Sequence, residues 1–526
     1  MAFSYHPPRH IDGNYCILPK DIRKWEATEI AGISERGREL MEIAGREVAM
    51  HVLSHYPNTR EILIFCGTGN NGGDGLVAAY YLERCGLSIH LFGFEDNVAK
   101  TPDAQTMFQR VSHLPRTILR QSADAGKILE WEHRRDILVI DGIFGTGYRP
   151  SHNVLMARIY HCIEQLSCPV VSIDIPSGID AATGYCGSLN DTNPPKAIAA
   201  TDTITFGVPK TGHFFGEGPE HCGDLYCVDI GLRTWPKSAM RCLILSDEYC
   251  QNNYWSEFSR SLSTHKGTCG HVVVLGGSES MSGAVWMACR SALRSGCGLV
   301  TAAMRCASHG PDEIMMRRIL DDSGQICTDA LQNILDKADV LVIGPGLGRD
   351  QTAIDLLNAC GSYPGKIVLD ADGLWALSQI NIKFAASECF MTPHPAEAAR
   401  LLDISPREVL YDPIQSAKKL AEKHAMTVIL KSHATVIASR KSGKMRFGLM
   451  PYPNPAMATA GSGDVLAGIL GGILAQARCG AVSHWFDAFE TAALAVNCHS
   501  RAGRSAEKIR GNTLCAPDII DAIRTR

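Results

Sequence analysis

Apolar positions along the chain follow two rhythms. Residues 20–52 carry Ile30, Ile33, Leu40, Ile43, Val48 and Val52 near helical spacing, which predicts amphipathic helix, with Gly32 permitting a break. Shorter unbroken runs follow another rule. Glu61-Ile62-Leu63-Ile64-Phe65-Cys66, Ile137-Leu138-Val139-Ile140 and Val170-Val171-Ser172-Ile173 each read as a strand buried on both faces, the signature of a parallel sheet. The second half repeats the alternation: apolar runs at 298–304, 339–343, 366–370, 389–391 and 427–430 lie between helical patterns, one of which starts at Ser282 and continues through Leu293. Such alternation predicts doubly wound, mostly parallel α/β sheets.

Length divides this picture. A chain of 526 residues is too long for one core, so at least two domains are expected. The polar stretch Arg233-Thr234-Trp235-Pro236-Lys237-Ser238 after the last strand of the first half places them at 1–234 and 235–526. With 45% hydrophobic and 20% charged residues the composition is that of an ordinary globular protein, and a formal net charge of −4 argues against nucleic acid as a partner. Twenty cysteines are scattered singly with no Cys-x-x-Cys pair, so reduced, buried thiols in a cytoplasmic protein are expected. Tyr5, His6 and Pro7 stand where a secretory leader needs an apolar core, and no run is long enough to span a membrane.

Chemistry enters at the strand ends. After Cys66 comes Gly67-Thr68-Gly69-Asn70-Asn71-Gly72-Gly73-Asp74-Gly75, opening a helix in the arrangement of a Rossmann-like phosphate cradle, though without the dinucleotide spacing. Its amides and carboxylate suit a hard cation as well as its N–H groups suit phosphate. Asp141 and Asp174 each close an apolar run, followed by Gly142-Ile143-Phe144-Gly145-Thr146-Gly147 and Ile175-Pro176-Ser177-Gly178. Either both aspartates cap helices, or the three loops converge on one crevice. Lys210, after a later strand, either faces nucleotide phosphates or is simply exposed.

In the second half, Ala458-Thr459-Ala460-Gly461-Ser462-Gly463-Asp464 runs into an apolar helix. Glycines there let consecutive N–H groups turn to one point at a helix start, which seats an anion, and the helix dipole is expected to hold Asp464 ionised beside it. An anion seat next to a general base suits transfer of a phosphoryl group to a hydroxyl. Gly344-Pro345-Gly346-Leu347-Gly348 and Thr392-Pro393-His394-Pro395-Ala396-Glu397 follow two further strands. His394 is stiffened by flanking prolines that aim its ring outward, toward substrate. Glu397 is placed either to cap the next helix or to help hold Mg2+.

These three motifs, in this order, resemble the ribokinase-like family of ADP- or ATP-dependent NAD(P)HX dehydratases, while residues 22–232 resemble the NAD(P)HX epimerases. The resemblance implies a Rossmann-like αβα domain followed by a ribokinase-like αβα domain. It implies a K+ ion on Asn71, Asp141 and Ser177, with Asp174 as the acid/base group of the epimerase. Epimerase substrate contacts would come from Asn70, Asn71, Gly72, Gly73 and Asp74, and from Gly145, Thr146, Gly147, Tyr148, Arg149, Pro150 and Ser151. In the dehydratase, Asp464 would be the base and Ala284, Gly346 and His394 would position substrate. Lys431, Ser432, His433, Ala434, Thr435 and Gly463 would contact the nucleotide. Ser432 stands where the family typically has glycine, a costly exchange if the backbone there is left-handed.

The implied activity is repair of hydrated nicotinamide nucleotides, NADHX and NADPHX, in which water has added at C6. Phosphorylating the C6 hydroxyl makes a good leaving group, and loss of phosphate restores the reduced cofactor. One pocket accepts one configuration at C6, so an epimerase for the other is a coherent fusion. Fused bacterial members typically use ADP, although the residues alone do not distinguish ADP from ATP. A homo-oligomer without nucleic-acid or membrane partners is expected. The rival is a ribokinase-like small-molecule kinase fused to a non-catalytic Rossmann-like binding module.

Overall fold

Period-two alternation sorts the buried runs of the first half onto two faces of one sheet. Ile62, Ile64, Leu138, Ile140, Val171 and Ile173 join one apolar cluster with Ile22, Trp25, Val48 and Leu76, whereas Leu63, Phe65, Val139 and Val170 join a second with Ile128, Ile159 and Ile163. Helices cover both faces, as a parallel sheet requires. The computed structural model describes residues 4–6, 14–31, 35–96, 99–233, 239–256, 258, 260, 262–306, 308–478 and 486–525. The chain divides into two compact units, Met1–Cys242 and Leu243–Arg526.

The first unit holds an all-parallel sheet in the order Ser4–His6, Asp224–Val228, Asp202–Phe206, Val170–Ile173, Ile137–Gly142, Glu61–Cys66, Ser88–Gly93, Arg116–Ile118. The order reverses between Glu61–Cys66 and Ile137–Gly142. Loops leaving two such strands diverge, and the crevice between them is where open α/β sheets take ligands. The helix expected over 20–52 is two helices, Pro19–Ile30 and Arg36–His55. Gly32, the expected break, lies outside the described residues, as do residues 234–238 of the expected junction.

In the second unit the strands run Met315–Arg318, Leu299–Met304, His271–Gly276, Val340–Ile343, Lys366–Leu369, Glu388–Met391, Thr427–Leu430 in parallel, then continue into the antiparallel hairpin Val436–Lys441 and Lys444–Leu449. Here the reversal falls between His271–Gly276 and Val340–Ile343. Helix Ser462–Arg478 packs on helix Ser282–Arg294 through glycines: a Cβ on Gly468 would stand 2.1 Å from the Ala288 carbonyl oxygen, and one on Gly472 would stand 2.2 Å from Ser295 Oγ. That close approach fixes where the helix beginning at Ser462 presents its first turn. No helix among the described residues is long and apolar enough to cross a membrane.

Candidate active sites

At the reversal in the first sheet, helix Asn70–Arg84 starts directly after Gly69. The loop is tight: a Cβ on Gly67 would meet the Ile143 carbonyl oxygen at 1.9 Å, and one on Gly72 the Gly67 oxygen at 1.8 Å. Two strand-end loops are thereby pressed together around a cavity of about 620 Å³, lined by Asn70, Asn71, Asp74, Gly145, Thr146, Gly147, Tyr148, Arg149, Ser151 and Asp174. Three expected contacts do not line it. Gly72 is spent on the loop, Gly73 packs where a Cβ would stand 2.6 Å from Met41 Cε, and Pro150 is not part of the lining. Arg23, Glu26 and Thr101 do line it, from elements carrying no motif.

Asp174 holds a left-handed backbone, φ +67°, uncommon for a residue with a Cβ. Its carboxylate accepts from Lys210 Nζ and, at 3.3 Å, from Thr205 Oγ1. Lys210 is therefore neither exposed nor free for phosphates: it is buried, and its ammonium also donates to Thr205 Oγ1 at 2.7 Å. Burial works to raise the Asp174 pKa, but the Lys210 charge overrides it and holds the group below its ordinary value. His213 accepts at Nδ1 from Lys210 N (3.0 Å) and donates from Nε2 to the Asp174 carbonyl (2.9 Å). Burial and the Lys210 charge drop its pKa to about 4, so it stays neutral in that tautomer.

Asp141 is fully buried and accepts four hydrogen bonds, from Ser177 Oγ (2.6 Å), Ser177 N (2.8 Å), Ser172 Oγ (2.9 Å) and Ile143 N (3.2 Å). It thus ties two strand ends together rather than capping a helix. Burial still pushes its pKa up despite these donors. Asn71 approaches from the facing loop: a Cβ on Gly145 would lie 3.1 Å from Asn71 Oδ1 and 3.3 Å from Asp174 Oδ2, and Asn71 Nδ2 is buried without a hydrogen-bond partner. Asn71 Oδ1, the Asp141 carboxylate and the Ser177 hydroxyl are oxygen groups of the kind a monovalent hard cation takes, whereas the unpartnered Nδ2 is a donor and would have to turn away from one. Among the described residues no group of three or more His, Cys, Asp or Glu side chains is placed to hold a metal ion.

In the second unit the glycine-rich loop after Val340–Ile343 is forced into shape by contacts. Gly344 (φ +128°) would drive a Cβ to 1.8 Å from the Asp370 carbonyl oxygen, and Gly346 (φ +56°) to 2.3 Å from that of Met281, beside the helix bearing Ala284. Asp370, at the end of the next strand and buried, accepts from Thr392 Oγ1 (2.7 Å) and Lys431 Nζ (2.8 Å). His394 is about half exposed, and its Nδ1 accepts from Ala396 N (3.1 Å) while Glu397 Oε2 accepts from His394 N (2.8 Å). That reciprocal cap assigns Glu397 to the helix start.

Helix Ser462–Arg478 begins beside these groups: a Cβ on Gly463 would stand 3.1 Å from Lys431 Nζ. Asp464 is not held ionised as the dipole argument expects. Burial raises its pKa, the Asp370 charge adds to that, Lys431 opposes both, and the result is about 7. A cavity of about 470 Å³ adjoins, lined by Lys431, Ser432, His433, Thr435 and Gly463, with Tyr452, Asn454, Met457, Ser462 and His499 completing the wall. Ala434 is buried outside it. Ser432 is not among the residues with positive φ, so serine carries no backbone penalty there, and its hydroxyl donates to the Ala434 carbonyl at 2.9 Å. Burial drops the pKa of His499 to about 4, and this neutral ring lies 3.3 Å from Ser462 Oγ.

Sequence reasoning missed Glu26, Asp370, Asn454 and His499. Asp370 had a usable signal, since it closes an apolar run as Asp141 and Asp174 do. The others lie in helices or loops without local distinction.

Two α/β units, each with charged and glycine-bound loops at the reversal of a parallel sheet, define a two-site enzyme with a Rossmann-like half and a ribokinase-like half. Residues 37–212 match the family described as YjeF-related protein N-terminus, and residues 272–525 that described as NAD(P)H-hydrate dehydratase. The bifunctional NAD(P)H-hydrate repair enzyme of Moorella thermoacetica is 34% identical over 92% of this chain and 91% of its own, and that of Coxiella burnetii 33% over 96% and 98%. An ADP/ATP-dependent NAD(P)H-hydrate dehydratase from Bacillus subtilis, co-crystallised with ATP/Mg2+, superposes with a TM-score of 0.43 at 23% identity, over 53% of this chain and 95% of that one. The chain belongs to the bifunctional NAD(P)H-hydrate repair enzymes.

Proposed function

We propose that the first unit interconverts the R and S hydrates of NADH and NADPH, and that the second converts the S hydrate back to NAD(P)H at the expense of ADP or ATP. With ADP the other products are phosphate and AMP. The observation that carries the second step is the grouping of Asp464, a carboxyl titrating near neutrality, with the Lys431 ammonium at the glycine-rich start of a helix.

Hydroxide is a poor leaving group, so the C6 hydroxyl must first be esterified. Asp464 takes the hydroxyl proton as oxygen attacks the terminal phosphorus, while Lys431 and the N–H groups of Gly461, Ser462 and Gly463 balance the charge on the transferring group. Ala284, Gly346 and His394 face the hydrate, and Lys431, Ser432, His433, Thr435 and Gly463 the nucleotide. The surplus of carboxylates around Lys431 suits a Mg2+ that arrives with the nucleotide within reach of Asp464 and Asp370, where it would neutralise phosphate charge.

In the first unit Asp174, kept as carboxylate by Lys210, exchanges the proton at the C6 hydroxyl. Asn71, Asp141 and Ser177 would hold K+, which would supply positive charge beside the substrate loops. Purified protein incubated with the epimeric hydrates and with ADP or ATP, read by chromatography and near-ultraviolet absorbance, tests the reading. Both epimers consumed, with NAD(P)H absorbance restored and phosphate released, is the expected result. Accumulation of a stable phosphorylated product would make the second unit a kinase instead.

A further inference from the structure

Resting on the epimerase reading of the first unit, we propose that Glu26 is the proton donor that works opposite Asp174 when the configuration at C6 is exchanged.

Helix Pro19–Ile30 forms a wall of the epimerase cavity. Ile22 and Trp25 are buried in the core, which fixes the rotation of the helix, and Arg23 and Glu26, one turn apart, share the face that lines the cavity. Arg23 Nη1 donates to the Thr146 carbonyl at 2.7 Å, tying that face to the loop expected to touch substrate. Glu26 and Asp174 thus approach one space from two different elements.

Charges around the cavity separate the two carboxyl groups. Glu26 is faced by Lys210, Asp174 and Arg23; burial raises its pKa, Asp174 adds to this, Lys210 and Arg23 oppose, and it stands at about 7. Asp174 is held low by Lys210. Asp74, half-buried and faced by both Asp174 and Glu26, is pushed well above its ordinary value by desolvation and by those two charges. A donor must give its proton up and regain it, and the Glu26 carboxyl, standing near neutrality on the cavity wall, is suited to both.

C6 of the hydrate bears the hydroxyl and is bonded to ring N1, so it is a hemiaminal carbon. The Asp174 carboxylate takes the hydroxyl proton, the oxygen pair forms C=O, and the C6–N1 bond breaks. Its electron pair stays on N1, which receives the Glu26 proton. Rotation about C5–C6 turns the other carbonyl face to N1, whose pair re-forms the bond. N1 returns its proton to Glu26 and the oxygen recovers one from Asp174. No atom or electron is gained or lost, and no other reactant is needed.

Full-length E26Q and E26D, with enzyme concentration normalised by dehydration of the S hydrate, are compared with wild type for R-to-S conversion across pH. Wild-type epimerisation is expected to fall as pH rises through about 7, where Glu26 loses its proton. E26Q is expected to lose roughly 100-fold or more in kcat with little change in KM, and to lack that falling limb. E26D, which keeps a carboxyl group, is expected to retain the limb at reduced rate, a split that a merely structural role would not produce. A wild-type protein that epimerises, paired with an E26Q variant of equal rate and pH profile, overturns this inference alone. A wild-type protein that does not epimerise overturns the epimerase reading with it.

Discussion

Lys431 Nζ lies 2.8 Å from Asp370 Oδ1, and the same ammonium stands 3.1 Å from the point a Cβ on Gly463 would occupy. One carboxylate therefore aims the cation at the turn where phosphate is to be transferred. Burial works against the charged lysine, but Asp370 and Glu397 outweigh it and raise its pKa. D370N is expected to lower the kcat of dehydration about 10- to 100-fold, and K431M about 100- to 1,000-fold. Recovery of NADH absorbance at saturating nucleotide measures both.

Dehydration is expected to rise with pH through about 7, because Asp464 must be ionised to act as a base. Stability has the opposite sign. Between about 4 and 7 the folded carboxyl keeps a proton that the unfolded chain has released, so stability falls as pH rises through that window. D464N is expected to abolish turnover while stabilising the second unit by roughly 1–3 kcal/mol above neutrality and hardly at all at low pH. Urea titrations at two pH values check this.

Breaking the buried Lys210–Asp174 pair from one side strands a charge. K210M is expected to destabilise the first unit by about 3–5 kcal/mol and to stop epimerisation, whereas K210M with D174N regains much of the stability and none of the activity. A double-mutant cycle by chemical denaturation, with hydrate chromatography alongside, distinguishes the two effects.

Gly344 is needed for its missing side chain as well as for its φ. G344A would bring a Cβ to 1.8 Å from the Asp370 carbonyl and displace the residue that aims Lys431. Loss of about 1–3 kcal/mol is expected, with dehydration impaired and epimerisation retained. Thermal melting and the two activity assays test it.

If Asn71, Asp141 and Ser177 hold K+, replacing K+ with choline is expected to slow epimerisation and spare the hydroxyl chemistry of the second unit's Asp464. S177A, which removes a hydroxyl bonded to Asp141 at 2.6 Å, is expected to raise the K+ concentration needed for half-maximal rate. Rates against K+ concentration supply the comparison.

Much of this architecture was legible because it is local. Runs such as Glu61–Cys66 and Val340–Ile343 are apolar at every or nearly every position, and the turn after each is marked by glycine. Strands Arg116–Ile118 and Met315–Arg318 escaped because they are short and partly exposed, which leaves no buried run to read. Site residues divide in the same way. Asp141, Asp174 and Asp464 sit in glycine-bearing strand-end or helix-start loops, but Lys210 finds Asp174 across 36 residues and His499 meets Ser462 across 37. Those pairings come from packing, as does the pKa of Asp464, which burial first and the Asp370 charge second raise against the dipole that sequence alone suggests.

Asp174 keeps a left-handed backbone in which glycine would be at ease. D174G would ease that turn but strand the Lys210 ammonium in the interior, so the exchange costs more than it relieves. Selection for heat resistance on this scaffold therefore guards the epimerase acid rather than eroding it, and a thermal screen can serve as a first filter before the R hydrate is assayed.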